Sequence, residues 1–175
     1  DGLFGKLKLV QELKDLCARK ASTHPVFLSA MARIALNRTP PLGFFRTFVV
    51  ETDGQQKRII NLKGRGTAPL TDLIRIHALA CGSTAQNSFD RMDAIARSKV
   101  IPPEALKQLR YALEFLLMVR IRHQADALEQ GASLNNYIEP ERFSSSERHN
   151  LKEAFQVLSN GQNFLRFRYP SKGRF

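Results

Sequence analysis

Arg120, His123 and Gln124 stand on what begins as a core-facing stripe. Leu106, Leu109, Leu113 and Leu116 recur at three- and four-residue steps, the spacing of one helix face. Continuing those steps reaches Arg120 and His123, with Gln124 beside them, because residues three and four apart are neighbours on a helix. Arg122 points elsewhere. A cation on a buried stripe is costly unless it is paired. Two arrangements satisfy that demand. Arg120 pairs with an internal carboxylate or with helix-end carbonyls while His123 is hydrogen-bonded in the core. Alternatively, the stripe emerges into a cleft, where both meet an anionic ligand or a neighbouring domain.

A second candidate is Lys63-Gly64-Arg65-Gly66-Thr67, immediately before a predicted helix. Glycines permit close backbone approach, two cations flank them, and a helix N-terminus offers unpaired N–H groups, a combination that suits phosphate. It is not a Walker motif, since the spacing G-x-x-x-x-G-K-[ST] is missing. On the following helix Asp72 and Arg75 are i, i+3, the spacing of a surface ion pair. No Gly-Ser pair followed by paired acidic residues occurs, and no H-E-x-x-H, G-x-S-x-G or dinucleotide fingerprint. Cys17 and Cys81 are far apart, lack CxxC spacing and read as core residues on apolar stripes, which disfavours a zinc site or a disulfide scaffold. His24 and His149 read as solvated. No nucleophile–base pair is evident, and no catalytic residue is assigned.

The elements that would carry these residues are mostly helices. Leu3, Leu7, Val10, Leu13 and Cys17 trace a first amphipathic helix. A second starts near Thr23, with Pro25 in its first turn and Phe27, Leu28, Met31 and Ala35 as its apolar face. It ends before Pro40-Pro41. Phe44 to Val50 are aromatic or β-branched and read as a strand. Thr52-Asp53-Gly54 is a turn, and 57–62 returns as the second strand, giving a hairpin over about 44–62. A lone hairpin is marginal in water, so it must lie on the helices or find further strands. Leu70, Leu73, Ile74, His77 and Cys81 form the stripe of a third helix stopped at Gly82. Phe89, Met92 and Ile95 mark a fourth. Pro102-Pro103 opens the longest helix, which stops at Gly131. Asn135-Asn136 and Pro140 mark a loop, and Ser144 with Glu147 is a capping box. It opens a last helix with Leu151, Phe155, Leu158, Gln162 and Leu165 on one face. The expected fold is mainly α: a single domain over 1–175, an up-and-down bundle of five to six helices with one inserted β-hairpin and a basic, fraying tail over 166–175.

Composition narrows the partners. Lys and Arg number 27 against 16 Asp and Glu, a net charge of +11 over 175 residues. That excess points to phosphate, whether nucleic acid, nucleotide or an acidic protein surface. Hydrophobic residues at 43% argue against disorder. No run of about 18 apolar residues is present, so no transmembrane helix is predicted, and there is no signal-peptide h-region. A reducing, cytoplasmic location fits. The chain starts at Asp1 rather than Met, so a fragment of a longer protein is expected.

The order of short motifs resembles one family. Pro41-Leu42-Gly43-Phe44-Phe45 is followed by Ile60-Asn61-Leu62-Lys63 with Arg65-Gly66. Next come Pro69-Leu70-x-Asp72-x-x-Arg75-x-x-Ala78-Leu79, and Gly82 with Asn87-Ser88-x-x-Arg91-Met92. Leu117-x-x-Arg120-Ile121-Arg122-His123-Gln124, Asn135-Asn136-Tyr137-Ile138-x-Pro140 and Leu151-Lys152-x-Ala154-Phe155 complete the series. From about residue 1 to 168 the chain is similar to the C-terminal substrate-binding domain of bacterial nucleotidyltransferases related to PII uridylyltransferase. The resemblance implies a helical domain that closes the cleft of an upstream catalytic domain. There, carboxylates hold magnesium with a nucleoside triphosphate, and cyclic-nucleotide-binding and CBS domains with a signalling role often precede. It carries Lys63, Arg65, Arg75, Arg91, Arg120, His123 and Gln124 over as substrate- or nucleotide-binding candidates. The chain alone would have no catalytic or metal residues and no turnover, and its partners would be the catalytic domain, nucleotide and an acceptor protein. Asn61 departs from the pattern, where Asp is expected. A nucleic-acid-binding or protein-docking module is the alternative, and the sequence leaves the oligomeric state, dimer included, open.

Overall fold

A computed structural model describes residues 5–170. Leu3 and Phe4 of the expected first helix, and the tail at 171–175, lie outside the described residues. Six α-helices and three short strands follow in the order α1 (Leu7–Ser22), α2 (Pro25–Ala35), β1 (Glu51–Thr52), β2 (Arg58–Asn61), α3 (Ala68–Ala80), α4 (Ser88–Ser98), α5 (Pro103–Glu129), β3 (Tyr137–Ile138) and α6 (Ser145–Arg168). The fold is mainly α, as the periodicities predicted. The helix starts are set locally. The Asn87 side chain accepts the Phe89 N–H, Pro103 opens α5, and Ser144 and Glu147 form the reciprocal capping box, which satisfies orphan N–H groups of the first turn.

The main core lies where α3, α4, α5 and α6 meet. Leu70, Leu73, Ile74, Met92, Ile95, Leu113, Leu116, Phe155 and Leu158 are almost completely removed from water. Each such side chain contributes about 1.5–3 kcal/mol of transfer free energy. A smaller cluster joins Leu28, Ala32 and Ala35 of α2 to Ile76, Leu165 and Tyr169. Gly161 lets α6 approach α3, because a Cβ there would lie 2.7 Å from Leu73 Cδ1.

The β region departs from expectation. The stretch predicted as the first strand begins as a 3-10 turn at Phe44–Arg46, with φ of 58° at Phe45 and 56° at Arg46, values incompatible with a strand. The chain then makes a single bridge, Leu42 to Phe48, before β1 pairs antiparallel with β2 (Glu51 with Ile59). The hairpin does not stand alone. β2 also pairs with β3 (Ile60 with Ile138, Asn61 with Tyr137), a strand that the Asn135–Pro140 region had concealed as a loop. The order β1-β2-β3 places Ile60 and Ile138 in the main core.

α1 also differs. Its buried residues are Ala18 and Ala21, while Leu7, Leu13 and Cys17 of the predicted core stripe are exposed. α1 packs on α2 and α3. Cys81 is half-buried, and its thiol donates to the Ala78 carbonyl. His24 and His149 are exposed, as expected. No helix among the described residues is long and apolar enough to cross a membrane.

Candidate functional site

Three separate places hold the residues with chemical potential. The first is the surface where α2 ends and α3 and α4 begin. Asp72, one turn into α3, accepts from Arg75 Nη1 at 2.7 Å and sits 3.6 Å from Arg38 Nη1. Arg91, on α4, donates Nε–H to the Ala85 carbonyl at 2.9 Å. No carboxylate among the described residues pairs with Arg91. Partial burial, then the neighbouring Arg75 charge, push its guanidinium below its ordinary pKa. Two guanidiniums therefore share the Asp72 carboxylate, and a third, Arg91, stands close enough to Arg75 to feel its charge. That is a surface poised to take an anion. Arg65 adjoins it differently. Its guanidinium is spent on the carbonyls of Thr39, Pro40 and Val49 at 3.2–3.5 Å, so it fastens the chain immediately after Arg38.

The second place is the glycine-basic segment. Lys63–Thr67 is a π-helical turn that runs directly into α3, so this helix begins earlier than its sequence predicted. The turn offers no open phosphate loop. Asn61 Oδ1 accepts the Gly64 N–H at 2.8 Å, occupying a donor that an anion would need. A Cβ on Gly66 would lie 3.2 Å from Phe155 Cε1 and 3.5 Å from Leu116 Cδ1, so this glycine serves helix packing. Lys63 is exposed and has no ion-pair partner among the described residues. Arg120 lies one turn beyond Leu116 on α5. Its Nε is buried without a hydrogen-bond partner, as is Oδ1 of Asn136. No carboxylate among the described residues neutralises Arg120. The internal pairing that its sequence position allowed is not made. Gln124 is half-buried one turn further.

The third place is a groove of about 830 Å³ between β1–β2, β3 and the second half of α5, a size typical of small-molecule sites. Of the predicted residues, His123 lines it and Arg120, Gln124 and Lys63 do not. Asn135 Oδ1 accepts from the Tyr137 N–H at 2.9 Å and lies 3.1 Å from His123 Nε2. An amide oxygen can only accept, so in this contact His123 Nε2 is the donor. The lining carries Glu51, Asp53, Asp126, Glu139 and Glu147 against Lys57, Arg122 and Arg142. Those three cations are already spent, Lys57 and Arg142 on Glu139 and Arg122 on Glu147. Bonds from the Ser144 backbone and hydroxyl, then Arg122, hold the Glu147 carboxyl below the usual range. The groove is thus a poor seat for phosphate.

Sequence reasoning missed Arg38 and the groove. Nothing in local spacing ties Arg38 to Asp72; only the return of α2 against α3 does. Asn135 and Tyr137 were visible as part of the Asn-Asn-Tyr-Ile motif but carried no assigned role. Among the described residues no three His, Cys, Asp or Glu side chains converge so as to hold a metal ion.

Neither a curated protein nor a solved structure matches the chain. Residues 25–169 match the family described as "putative nucleotidyltransferase substrate binding domain". That span covers α2 to the end of α6 and includes every residue of the arginine surface and the groove. The chain belongs to this family of nucleotidyltransferase substrate-binding domains.

Proposed function

We propose that this domain is the accessory half of a nucleotidyltransferase, holding the phosphate chain of a nucleoside triphosphate on the Arg38, Arg75 and Arg91 surface. A catalytic domain elsewhere supplies the carboxylates, and the magnesium arrives with the nucleotide. The observation that carries this reading is the excess of cations there: Arg38 and Arg75 share the one carboxylate of Asp72, and Arg91, which makes no ion pair among the described residues, lies within reach of the Arg75 charge. Two of those residues, Arg75 and Arg91, lie in the motifs that mark the family. Guanidinium forks match phosphate oxygens and make charge-assisted bonds. Arg120, with its unsatisfied Nε, adds a second unneutralised cation. The groove around His123, richer in carboxylates than in cations, suits a neutral or cationic acceptor better than the nucleotide.

The test is calorimetric titration of the chain with ATP, UTP and inorganic tripolyphosphate. Each hydrogen bond to a charged group is worth about 1.5–3 kcal/mol, so Arg75→Ala and Arg91→Ala should each weaken binding roughly ten- to a hundredfold. Unchanged affinity in both variants would sink the assignment. A preference for duplex DNA over every triphosphate, falling steeply with salt, would favour the nucleic-acid module instead. Joining the chain to an intact catalytic domain should then give nucleotidyl transfer that the same variants impair.

A further inference from the structure

α5 is apolar on two opposite sides. One side is the core stripe of Leu106, Leu109, Leu113 and Leu116. On the other, Tyr111 is 52% exposed, Met118 56%, Ile121 60% and Leu128 64%. Ala125 and Glu114 share that face, both exposed. A helix that is apolar all round is normally covered all round, and contiguous exposed apolar surface marks an interface. The spacing suits a partner helix. Tyr111, Glu114, Met118, Ile121, Ala125 and Leu128 alternate three- and four-residue steps, the a and d seam of a coiled coil.

We propose that this face docks against the same face of a second copy, with the two α5 helices antiparallel. The positions read the same from both ends, symmetric about a point between Val119 and Arg120. A two-fold axis there puts Met118 against Ile121 of the second copy, Tyr111 against Leu128, and Glu114 against Ala125. Each large apolar residue meets a large apolar partner, and Glu114 meets the small Ala125, in a self-complementary two-fold arrangement. Charge selects the direction. A parallel pairing stacks Glu114 on Glu114, two carboxylates in a desolvated seam, whereas the antiparallel one separates them and sets Arg122 of one copy beside Phe115 of the other. Tyr111 is already fixed as an anchor, its ring stacked on Phe115 with centroids 6.3 Å apart. The seam spans about 26 Å of helix at 1.5 Å per residue. One helix face falls short of the roughly 800 Å² per partner of a standard interface, so the dimer is weak and depends on concentration.

Sedimentation velocity on the whole chain from about 1 to 500 µM should show a reversible monomer–dimer equilibrium. Ile121→Asp should raise its dissociation constant by about a hundredfold or more, since both copies lose a buried side chain, while circular dichroism stays that of wild type because the residue is exposed in the monomer. Orientation is read by disulfide trapping in a Cys17→Ser background. An equimolar mixture of Tyr111→Cys and Leu128→Cys chains should cross-link to each other, and Tyr111→Cys alone should not. A monomer at every concentration, a dimer indifferent to Ile121→Asp, or cross-linking of Tyr111→Cys to itself would each overturn the proposal.

Discussion

Among the described residues His77 is the most deeply buried polar side chain. It is fully buried on α3, its ring 5.7 Å from that of Phe164 and 5.9 Å from that of Tyr169. Neither ring nitrogen has a hydrogen-bond partner, and the Tyr169 hydroxyl beside it has none. Burial, reinforced by the Arg168 charge, pushes its pKa down to about 4. The unfolded chain takes up a proton near pH 6.5, but the folded one does so only near pH 4, so unfolding is favoured as pH falls through that interval. The loss approaches about 3 kcal/mol at the acid end. Urea unfolding at pH 7.5 and pH 5 should show this slope in the wild type and a shallower one in His77→Phe; identical slopes would remove His77 as the cause. The sequence placed His77 on a core stripe correctly, since helical spacing is local. It could not reveal that both nitrogens are orphaned, or that Arg120 finds no carboxylate, because such partners would come from distant segments.

At the scale of elements, the helices and the returning strand of the hairpin were legible, while the 44–50 stretch and β3 were not. Caps and stops such as Ser144, Pro103 and Gly82 act within one turn, so they read directly from the chain. The 44–50 stretch has the composition of a strand, but its partners lie elsewhere: Phe48 bridges Leu42, and the sheet grows through β3, far along the chain. What orders this stretch is Arg65, which reaches back from the π-helical turn to Thr39, Pro40 and Val49. Arg65→Ala should therefore release the 39–49 connection without melting α3. Amide exchange of Gly43 and Val49, which bond to Thr47 and Pro41, should accelerate by about ten- to a hundredfold, as expected for losing bonds to a charged donor of about 1.5–3 kcal/mol. Amides of Leu73 and Ile74 should keep their rates. If Gly43 and Val49 were as protected in the variant as in the wild type, Arg65 would not be the fastening.

At the scale of the whole molecule, the net charge of +11 is unevenly placed. The groove gathers more carboxylates than cations, whereas Arg38, Arg75, Arg91, Lys63 and Arg120 lie outside it. Two effects of added anions can then be separated. Screening acts on the global excess, with a Debye length of about 8 Å at 0.15 M, and any salt provides it. A site effect depends on the anion's geometry and adds RT ln(1 + [L]/Kd), about 2.7 kcal/mol at a hundredfold excess over Kd. For a chain of this size that is a rise in Tm of about 5–10 °C. Tripolyphosphate should therefore raise Tm well beyond sodium chloride of equal ionic strength. The double variant Arg75→Ala, Arg91→Ala should lose that difference while keeping the response to sodium chloride, because it removes two charges from the cluster but leaves most of the excess. If both salts stabilised both proteins equally, the charge would be a diffuse field and the arginine surface no binding site at all.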